Sequence, residues 1–153
     1  MTPRVLLDTG PLVALLARND AWHERCSEGL KEIAPPLLTC WPVLAEADWL
    51  LRDHTVGMQQ MLGWIQSGLI RVLPIRDEAV PWLMTFLRKY QRLRPQLADA
   101  SLVYLAESEG IDTIFTLDRR DFSAYRFANS RALRILPAKA TQPFAISCGG
   151  LKR

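Results

Sequence analysis

Apolar and polar positions alternate along the chain in short blocks that predict strands followed by helices. The apolar run at residues 5–7 predicts a buried strand, a polar turn at 8–10 follows it, and Pro11 opens a helical run. Further buried strands are predicted at 37–40, 71–75, 113–117 and 133–136. Because strands and helices alternate almost throughout, the pattern favours an α/β fold in which helices cover both faces of a parallel sheet.

The helices predicted between these strands end at prolines, glycines and polar turns. Their approximate ranges are 19–33, 43–54, 59–66, 77–92 and 97–108. Gly110 ends the last of them, since glycine readily adopts the left-handed conformation that closes a helix. Residues 138–153 lack apolar periodicity, so we expect one domain at 1–137 followed by a flexible C-terminal tail.

The composition is that of an ordinary globular domain. The chain has 153 residues, of which 49% are hydrophobic and 23% are charged, enough for one sizeable core. A formal charge of +3 and a pI near 9.0 permit a polyanionic partner without requiring one. No apolar stretch approaches the ~18 residues of a membrane span, so we expect no membrane partner. Cys26, Cys40 and Cys148 form no CxxC pair, which argues against a disulfide framework or structural zinc site and favours the reducing cytoplasm.

Four acidic residues stand where the surrounding apolar segments predict burial: Asp8, Glu46, Asp99 and Asp118. An ionised carboxylate without a partner is costly to bury, so a fold that gathers several of them usually holds a cation among them. Oxygen ligands suit Mg²⁺ or Mn²⁺. The two histidines, His23 and His54, are too few and too distant from these acids to suggest zinc.

The positions of three of these acids on the predicted elements favour a shared site. Asp8 and Asp118 follow predicted strands. In open parallel sheets, ligands bind outside the carboxyl ends of the strands, so both side chains are expected at one edge of the sheet. Asp99 shares the inward stripe of its helix with Val103 and Ala106.

Each acid also has an explanation that needs no metal. Asp8 or Asp99 would cap a helix, and Asp118 would form a surface turn. Glu46 would be a solvated helix residue, and helix geometry places it and Asp48 at opposite margins of the same apolar stripe without choosing between them. The joint occurrence of these acids, in this order, is what favours a site.

The segments that carry these acids resemble, one after another, the four acidic motifs of the PIN domain family, and specifically the toxin ribonucleases of VapBC-type toxin–antitoxin modules. They read LLDTGPLVALL, PVLAEADWLL, LADASLVYLAE and FTLDRRDF, and the resemblance extends from Val5 to Leu136. It implies a PIN-like three-layer α/β/α fold with a central parallel sheet. It also implies a Mg²⁺- or Mn²⁺-dependent endoribonuclease, in which water attacks an RNA phosphodiester and leaves a 5′-phosphate and a 3′-hydroxyl without a protein nucleophile.

The resemblance assigns roles to individual residues and selects Glu46 over Asp48. The catalytic acids and metal ligands would be Asp8, Glu46, Asp99 and Asp118. The residues that support them would be Thr9, Thr116 and Asp121. The sequence departs from the family pattern at Gln96. Many members of the family carry a further acid shortly before the ADA motif, and its replacement by an uncharged residue affects how strongly a second metal ion is held.

Basic residues near the acids would hold the flanking phosphates of the RNA. The candidates are Arg119 and Arg120, which adjoin a proposed ligand, and the cluster Arg88, Lys89, Arg92 and Arg94. A solvated helix face explains the second cluster equally well. Tryptophans on apolar helices usually belong to a core or an interface, so none of the five is assigned to RNA.

The resemblance also implies two protein partners, a second copy of the chain in a homodimer and a small antitoxin that holds the toxin inactive. An apolar, Met-rich stretch would serve either contact, or the core: Met58, Met61, Leu62, Trp64 and Ile65. Two other functions stay open, a non-catalytic PIN-like scaffold that binds RNA or protein and a receiver-like domain phosphorylated on Asp8. The receiver-like function is disfavoured because no DxDxT pattern follows the first strand.

Overall fold

A five-stranded parallel sheet forms the centre of the protein. The computed structural model describes residues 2–139, so most of the tail expected at 138–153 lies outside the described residues. The strands are β1 (Val5–Leu7), β2 (Leu37–Thr39), β3 (Ile70–Val72), β4 (Thr113–Phe115), β5 (Arg126–Phe127), β6 (Arg131–Ala132) and β7 (Arg134–Leu136). The central sheet has the order β3-β2-β1-β4-β7, and β5 and β6 form a separate antiparallel hairpin.

Helices flank the sheet, which confirms the predicted α/β class. They are α1 (Thr9–Leu16), α2 (His23–Lys31), α3 (Trp41–Leu50), α4 (Gly57–Gln66), α5 (Val80–Lys89), α6 (Leu97–Glu109) and α7 (Arg119–Ala124). Gly110 closes α6 in the left-handed conformation, with φ 64°, as the sequence predicted. Across residues 2–139, no helix has the length and apolar character needed to cross a membrane.

The long helix expected at 77–92 forms, but its α-helical part is shorter than predicted. A 3-10 turn at Asp77–Ala79 precedes α5, and a second at Gln91–Leu93 follows it. Pro81 fits the first turn of α5 because that position needs no backbone N–H. Arg94 is the C-cap of the second 3-10 turn and ends it in a left-handed conformation, with φ 51°.

Several elements differ from their predicted extent. The helix predicted at 43–54 ends at Leu50, and the strand predicted at 113–117 ends at Phe115. The short α7 and the hairpin of β5 and β6 were not predicted, because neither is long enough to show a hydrophobic period. Asn129 and Ser130 turn the hairpin with positive φ values of 57° and 63°.

The apolar stretch from Met58 to Ile65 belongs largely to the core. Met61 is buried, and Met58, Trp64 and Ile65 pack against the core, whereas Leu62 is exposed. Core packing therefore accounts for most of the stretch.

Three of the five tryptophans are not in the core. Trp22, Trp41 and Trp49 are 52%, 60% and 64% exposed. Trp82, in contrast, stacks on Phe86 with ring centroids 5.3 Å apart. Of the two alternatives expected for tryptophans, core or interface, the core is excluded for these three residues, which lie at helix ends or on outward helix faces.

The topology of the sheet places a crevice beside its central strand. The chain builds β2 and β3 on one side of β1 and then crosses to build β4 and β7 on the other. β1 and β4 pair in parallel, with Leu7 opposite Phe115, so their carboxyl ends lie at the same height. Such a switch point between adjacent parallel strands is where open α/β sheets bind ligands.

Candidate active site

All four acids singled out in the sequence line one cavity at this crevice, with a volume of about 460 Å³. Its lining residues are Asp8, Thr9, Gly10, Glu46, Leu50, Arg94, Gln96, Asp99, Leu117, Asp118 and Asp121. β1 and β4 each deliver one acid, α3 delivers another, and the first turn of α6 delivers the last. The structure thus brings together acids that lie far apart in the sequence, while their roles as ligands and catalysts stay predictions.

Asp8 is held at the bottom of this cavity by its neighbour on β4. Its backbone N–H donates to the Phe115 carbonyl at 3.0 Å, which continues the pairing of the two strands. This register brings the Thr116 hydroxyl within 2.7 Å of Asp8 Oδ2, to which it donates. Asp8 occupies the N-cap position of α1, but its side chain makes no capping hydrogen bond. Helix capping therefore does not explain this acid.

The environment of Asp8 opposes its negative charge. Asp8 is 6% exposed. Burial raises the pKa of its carboxyl from 3.8 to about 7, hydrogen bonds from Thr116 and the Thr9 backbone oppose the rise, and the charges of Asp99 and Glu46 add to it. A positive charge in the cavity would remove this penalty.

Asp99 has both a structural and an electrostatic role. It is the third residue of α6 and accepts the Gln96 backbone N–H at 3.0 Å in a capping box, so the capping explanation is partly right. The pKa of its carboxyl is raised to about 6 by all effects together. Burial is the largest cause, the Gln96 hydrogen bond lowers the pKa, and the charges of Glu46, Asp118 and Asp121 raise it. Gln96, the position where relatives often carry an acid, is itself the N-cap and lines the cavity.

Glu46, and not Asp48, faces the other acids. Glu46 is half-buried on α3, and its Oε2 accepts the Thr9 hydroxyl at 2.7 Å. Asp48 is exposed on the same helix. The structure thereby makes the choice that the helical pattern alone left open.

Asp118 caps α7 while lining the cavity. Its Oδ1 accepts the Asp121 backbone N–H at 3.1 Å. Its own N–H donates to the Thr116 hydroxyl at 3.0 Å, so Thr116 links Asp118 to Asp8. The pKa of Asp121 is raised, first by burial and then by the charge of Asp118.

Comparison with known proteins decides the family. The family model for the PIN domain matches residues 5–128, which include all four acids. The chain belongs to the PIN domain family. It is 29% identical over 136 residues to Ribonuclease VapC26 of Mycobacterium tuberculosis, covering 87% of this chain and 100% of that protein. Its fold is similar to that of VapC20 from the same organism, a sarcin-ricin loop cleaving toxin whose crystal structure is known. The TM-score is 0.67 and the sequence identity is 20%, and the match covers 76% of this chain and 91% of VapC20.

These findings identify a PIN domain, and its similarity to VapC proteins supports the VapC-type resemblance of the acidic motifs.

The dual position of Asp118 in the PIN domain gives a stability prediction. Asp118→Ala removes the cap of α7 and should lower the free energy of unfolding by about 1 kcal/mol. Asp118→Asn should leave it nearly unchanged, because asparagine caps helices as well as aspartate does. Urea denaturation of the two variants checks this. Equal destabilisation by both would contradict the capping role.

The basic residues predicted to hold RNA are distributed unevenly around the acids. Arg94 lines the acidic cavity, whereas Arg119 is half-buried beside it and donates to the Pro137 carbonyl at 2.7 Å. Lys89 lines a different cavity, formed by α5 and the hairpin, and lies 5.2 Å from the ring of Tyr90. The remaining candidates are exposed: Arg88, Arg92 and Arg120. Arg88, Lys89 and Arg92 are thus not lining residues of the acidic cavity.

Tyr125 is a residue of this region that the sequence did not reveal. Its buried hydroxyl has no hydrogen-bond partner among residues 2–139. The pKa of this hydroxyl is raised, first by burial and then by the charges of Asp99 and Asp121. Tyr125 follows α7, which was itself not predicted, so no pattern marked its position.

The donor set of the cavity fits a hard divalent cation, although no ion geometry is preformed. Among residues 2–139, no three Asp, Glu, His or Cys side chains are arranged so that they could hold a metal ion as they stand. Mg²⁺ normally keeps several waters and needs only one or two carboxylates from the protein. The lining acids supply oxygen ligands only. Burial first, and the charges of neighbouring acids second, raise the pKa values of Asp8 and Asp99, and a bound cation would offset both effects.

Proposed function

We propose that this VapC-type PIN domain is a Mg²⁺- or Mn²⁺-dependent endoribonuclease and the toxin of a type II toxin–antitoxin pair. The observation that carries the proposal is the gathering of Asp8, Glu46, Asp99 and Asp118 around one cavity at the switch point of the sheet. The name of the curated relative, a ribonuclease matched along its whole length, supports RNA as the substrate.

The cation would be held by carboxylates that hydroxyl groups already orient. Asp8, Asp99, Asp118 and Glu46 are the proposed ligands. Thr116 fixes one oxygen of Asp8, and Thr9 fixes one oxygen of Glu46. A bound divalent ion would supply an activated water and a positive charge for the phosphoryl oxygens.

Hydrolysis by water accounts for the reaction without a covalent enzyme intermediate. The only hydroxyl side chain that lines the acidic cavity within the described residues is that of Thr9, and it donates to Glu46. Attack of water on phosphorus breaks the bond to the 3′ oxygen, which leaves as a 3′-hydroxyl, and the water oxygen stays on the 5′-phosphate. The uncharged Gln96 leaves the cavity with one acid fewer than many relatives, which favours weaker binding of a second ion.

Incubation of the purified protein with total RNA tests the proposal. With Mn²⁺ we expect fragments that carry 5′-phosphate and 3′-hydroxyl ends, and with EDTA we expect intact RNA. Mapping the ends by sequencing, with and without phosphatase or kinase treatment, identifies the chemistry. Cleavage that persists in EDTA, or fragments with 2′,3′-cyclic phosphate ends, would count against a metal-dependent hydrolase.

The toxin role includes a homodimer, an antitoxin partner and a cytoplasmic location. Exposed Trp41 and Trp49 on α3 give the chain an apolar surface for one of these protein contacts. Cys26 and Cys40 are free and buried, in keeping with a reducing compartment, and Cys148 lies outside the described residues. Co-purification with the product of a short neighbouring reading frame tests the antitoxin.

A non-catalytic PIN scaffold is the second candidate, favoured by the lack of a preformed ion geometry within residues 2–139. Such a scaffold would bind RNA or protein without gaining stability from a divalent ion. Membership of the PIN family argues against the receiver-like phosphoacceptor.

A further inference from the structure

A second cavity, basic where the first is acidic, lies on the other side of the chain segment that carries Asp118. It has a volume of about 350 Å³, within the usual range of small-ligand sites. Its lining residues are Trp22, Arg25, Thr116, Leu117, Arg119, Pro137 and Lys139, and of these Leu117 also lines the acidic cavity.

The wall between the two cavities is a single stretch of backbone. Leu117 lines both of them. Thr116 lines the basic cavity and donates its hydroxyl hydrogen to Asp8 in the acidic one. Asp118 and Arg119 are consecutive residues, one in each cavity. A polymer that crosses this wall would contact both sites.

The charged side chains that line the basic cavity are all positive. Its lining contains Arg25, Arg119 and Lys139 and no acidic residue. None of these cations forms a salt bridge within residues 2–139. Arg25 donates to the Ala138 carbonyl and Arg119 to the Pro137 carbonyl, so neutral oxygens hold both guanidinium groups in place. Arg25 also lines an adjoining hollow together with Glu24, Glu28 and Glu32, so acids lie near this one cation.

Arg119 contains a buried donor that lacks an acceptor. Its Nε is buried and has no hydrogen-bond partner among residues 2–139. A buried donor without an acceptor is costly, and most such groups in folded proteins have a partner. Burial of Nε shows instead that packing holds the Arg119 guanidinium in place, so that its charge stays beside the basic cavity, where a phosphate would offset it.

Trp22 adds an aromatic surface beside these cations. It stands at the N-terminus of α2 and is 52% exposed. Its backbone N–H donates to Asp20 Oδ1 at 2.8 Å, which fixes the position of the residue. Exposed aromatic rings within basic grooves are the usual stacking platforms for unpaired bases.

We infer that this basic cavity binds the nucleotide next to the scissile phosphodiester, with Arg25, Arg119 and Lys139 contacting its phosphate and Trp22 stacking on its base. The inference rests on the proposed ribonuclease function and extends it to a defined subsite. The acidic cavity would by itself repel RNA. The subsite explains why an exposed tryptophan and cations without a salt bridge in residues 2–139 lie next to that cavity. It also predicts a preference for unpaired RNA, since a stacked base must leave its duplex.

The test is binding of a labelled single-stranded RNA to the full chain in EDTA, followed by fluorescence anisotropy, with the RNA checked for integrity on a gel. Trp22→Leu should weaken binding by about tenfold, whereas Trp22→Phe, which keeps an aromatic face, should stay within about twofold of the native protein. Lys139→Gln should reduce the slope of log Kd against log salt by about 0.7. Arg71→Gln is the charge control, because Arg71 is exposed on β3, the edge strand opposite β7.

Normal RNA binding by both Trp22→Leu and Lys139→Gln would overturn the subsite. Thermal melting shows whether each variant is folded. If Trp22→Leu does not fold, the salt dependence of RNA binding by Lys139→Gln, compared with that of Arg71→Gln, decides whether the subsite exists. The outcome is separable from the nuclease proposal. A native protein that cleaves RNA while both variants bind it normally disproves the subsite only, and a native protein that never cleaves, but binds RNA through Trp22 and Lys139, disproves the nuclease only.

Discussion

Replacing Asp8 by asparagine is expected to reduce RNA cleavage by at least about 100-fold, since even residues that merely support a metal ligand typically contribute 10- to 100-fold to activity. Asp8 is buried beneath the cavity, and no other acid accepts the Thr116 hydroxyl in the described chain. Initial rates on a labelled RNA with Mn²⁺ measure the loss. Asp99→Asn should behave similarly, because it removes a second charge from the same cavity.

The same Asp8→Asn variant should be at least as stable as the native protein when no metal is present. The raised pKa of Asp8 means that the folded state disfavours its ionised form. Asparagine is neutral, and its side-chain oxygen can still accept the Thr116 hydroxyl. Loss of cleavage would therefore not come from unfolding, which urea denaturation at pH 8 in EDTA would verify.

Asp48→Asn is the matched control for these two variants. Asp48 is an exposed acid on α3, two residues from the cavity-lining Glu46 and therefore on a different face of the helix. It removes one negative charge from the protein without touching the cavity, so its cleavage rate should stay within about twofold of the native rate, as expected for a surface substitution. Full cleavage by both Asp8→Asn and Asp99→Asn would contradict the assignment of the acids.

Stabilisation by Mn²⁺ is expected to grow with pH. Folding raises the pKa of Asp8 from 3.8 to about 7 and that of Asp99 from 3.8 to about 6. At a pH between 3.8 and the raised value of each group, the folded protein therefore binds more protons than the unfolded chain. The free energy of unfolding of the metal-free protein should consequently fall as pH rises from about 4 to 7, through the contribution of these two groups. Above pH 7 both carboxylates are ionised and ready to bind a cation.

Thermal unfolding with and without Mn²⁺ at pH 5 and pH 8 measures this effect. At a Mn²⁺ concentration of about 100 times its Kd, the free energy of unfolding should increase by about 2.7 kcal/mol at pH 8. At pH 5 the increase should be much smaller, because protons compete for the ligands. Asp8→Asn should lose most of the increase at pH 8, and Asp48→Asn should keep it. No stabilisation at either pH would favour the non-catalytic scaffold, and equal stabilisation at both would indicate ion binding elsewhere.

Local patterns predicted those elements that are long or sharply bounded. The apolar run of β1 and the glycine that closes α6 were both identified. A buried strand requires consecutive apolar residues, and a left-handed helix end favours glycine, so both appear as local sequence patterns. The helix expected at 77–92 was predicted too long as an α-helix, since its apolar pattern continues through the 3-10 turns at both ends of α5. Tyr90, which follows α5, packs on Tyr125 with ring centroids 5.1 Å apart, a tertiary contact that no local pattern shows.

The identity of the acids could be predicted from the sequence, but their relations to one another could not. Thr116 and Asp8 are far apart in the chain, and only the parallel register of β1 and β4 shows that the hydroxyl of one bonds the carboxylate of the other. The choice of Glu46 over Asp48 follows from family resemblance in the sequence and from the Thr9 hydrogen bond in the structure. Asp118 proved to cap α7, a helix too short to be predicted.

The sequence by itself determined the α/β class, the PIN family and the four acids, because alternating apolar runs and short motifs are properties of neighbouring residues. Tertiary structure alone decided that these acids line one cavity and that a basic cavity with Trp22 and Arg119 shares its wall. Burial and mutual repulsion shift the pKa values of Asp8 and Asp99, and both effects depend on distances between segments that the linear order does not contain.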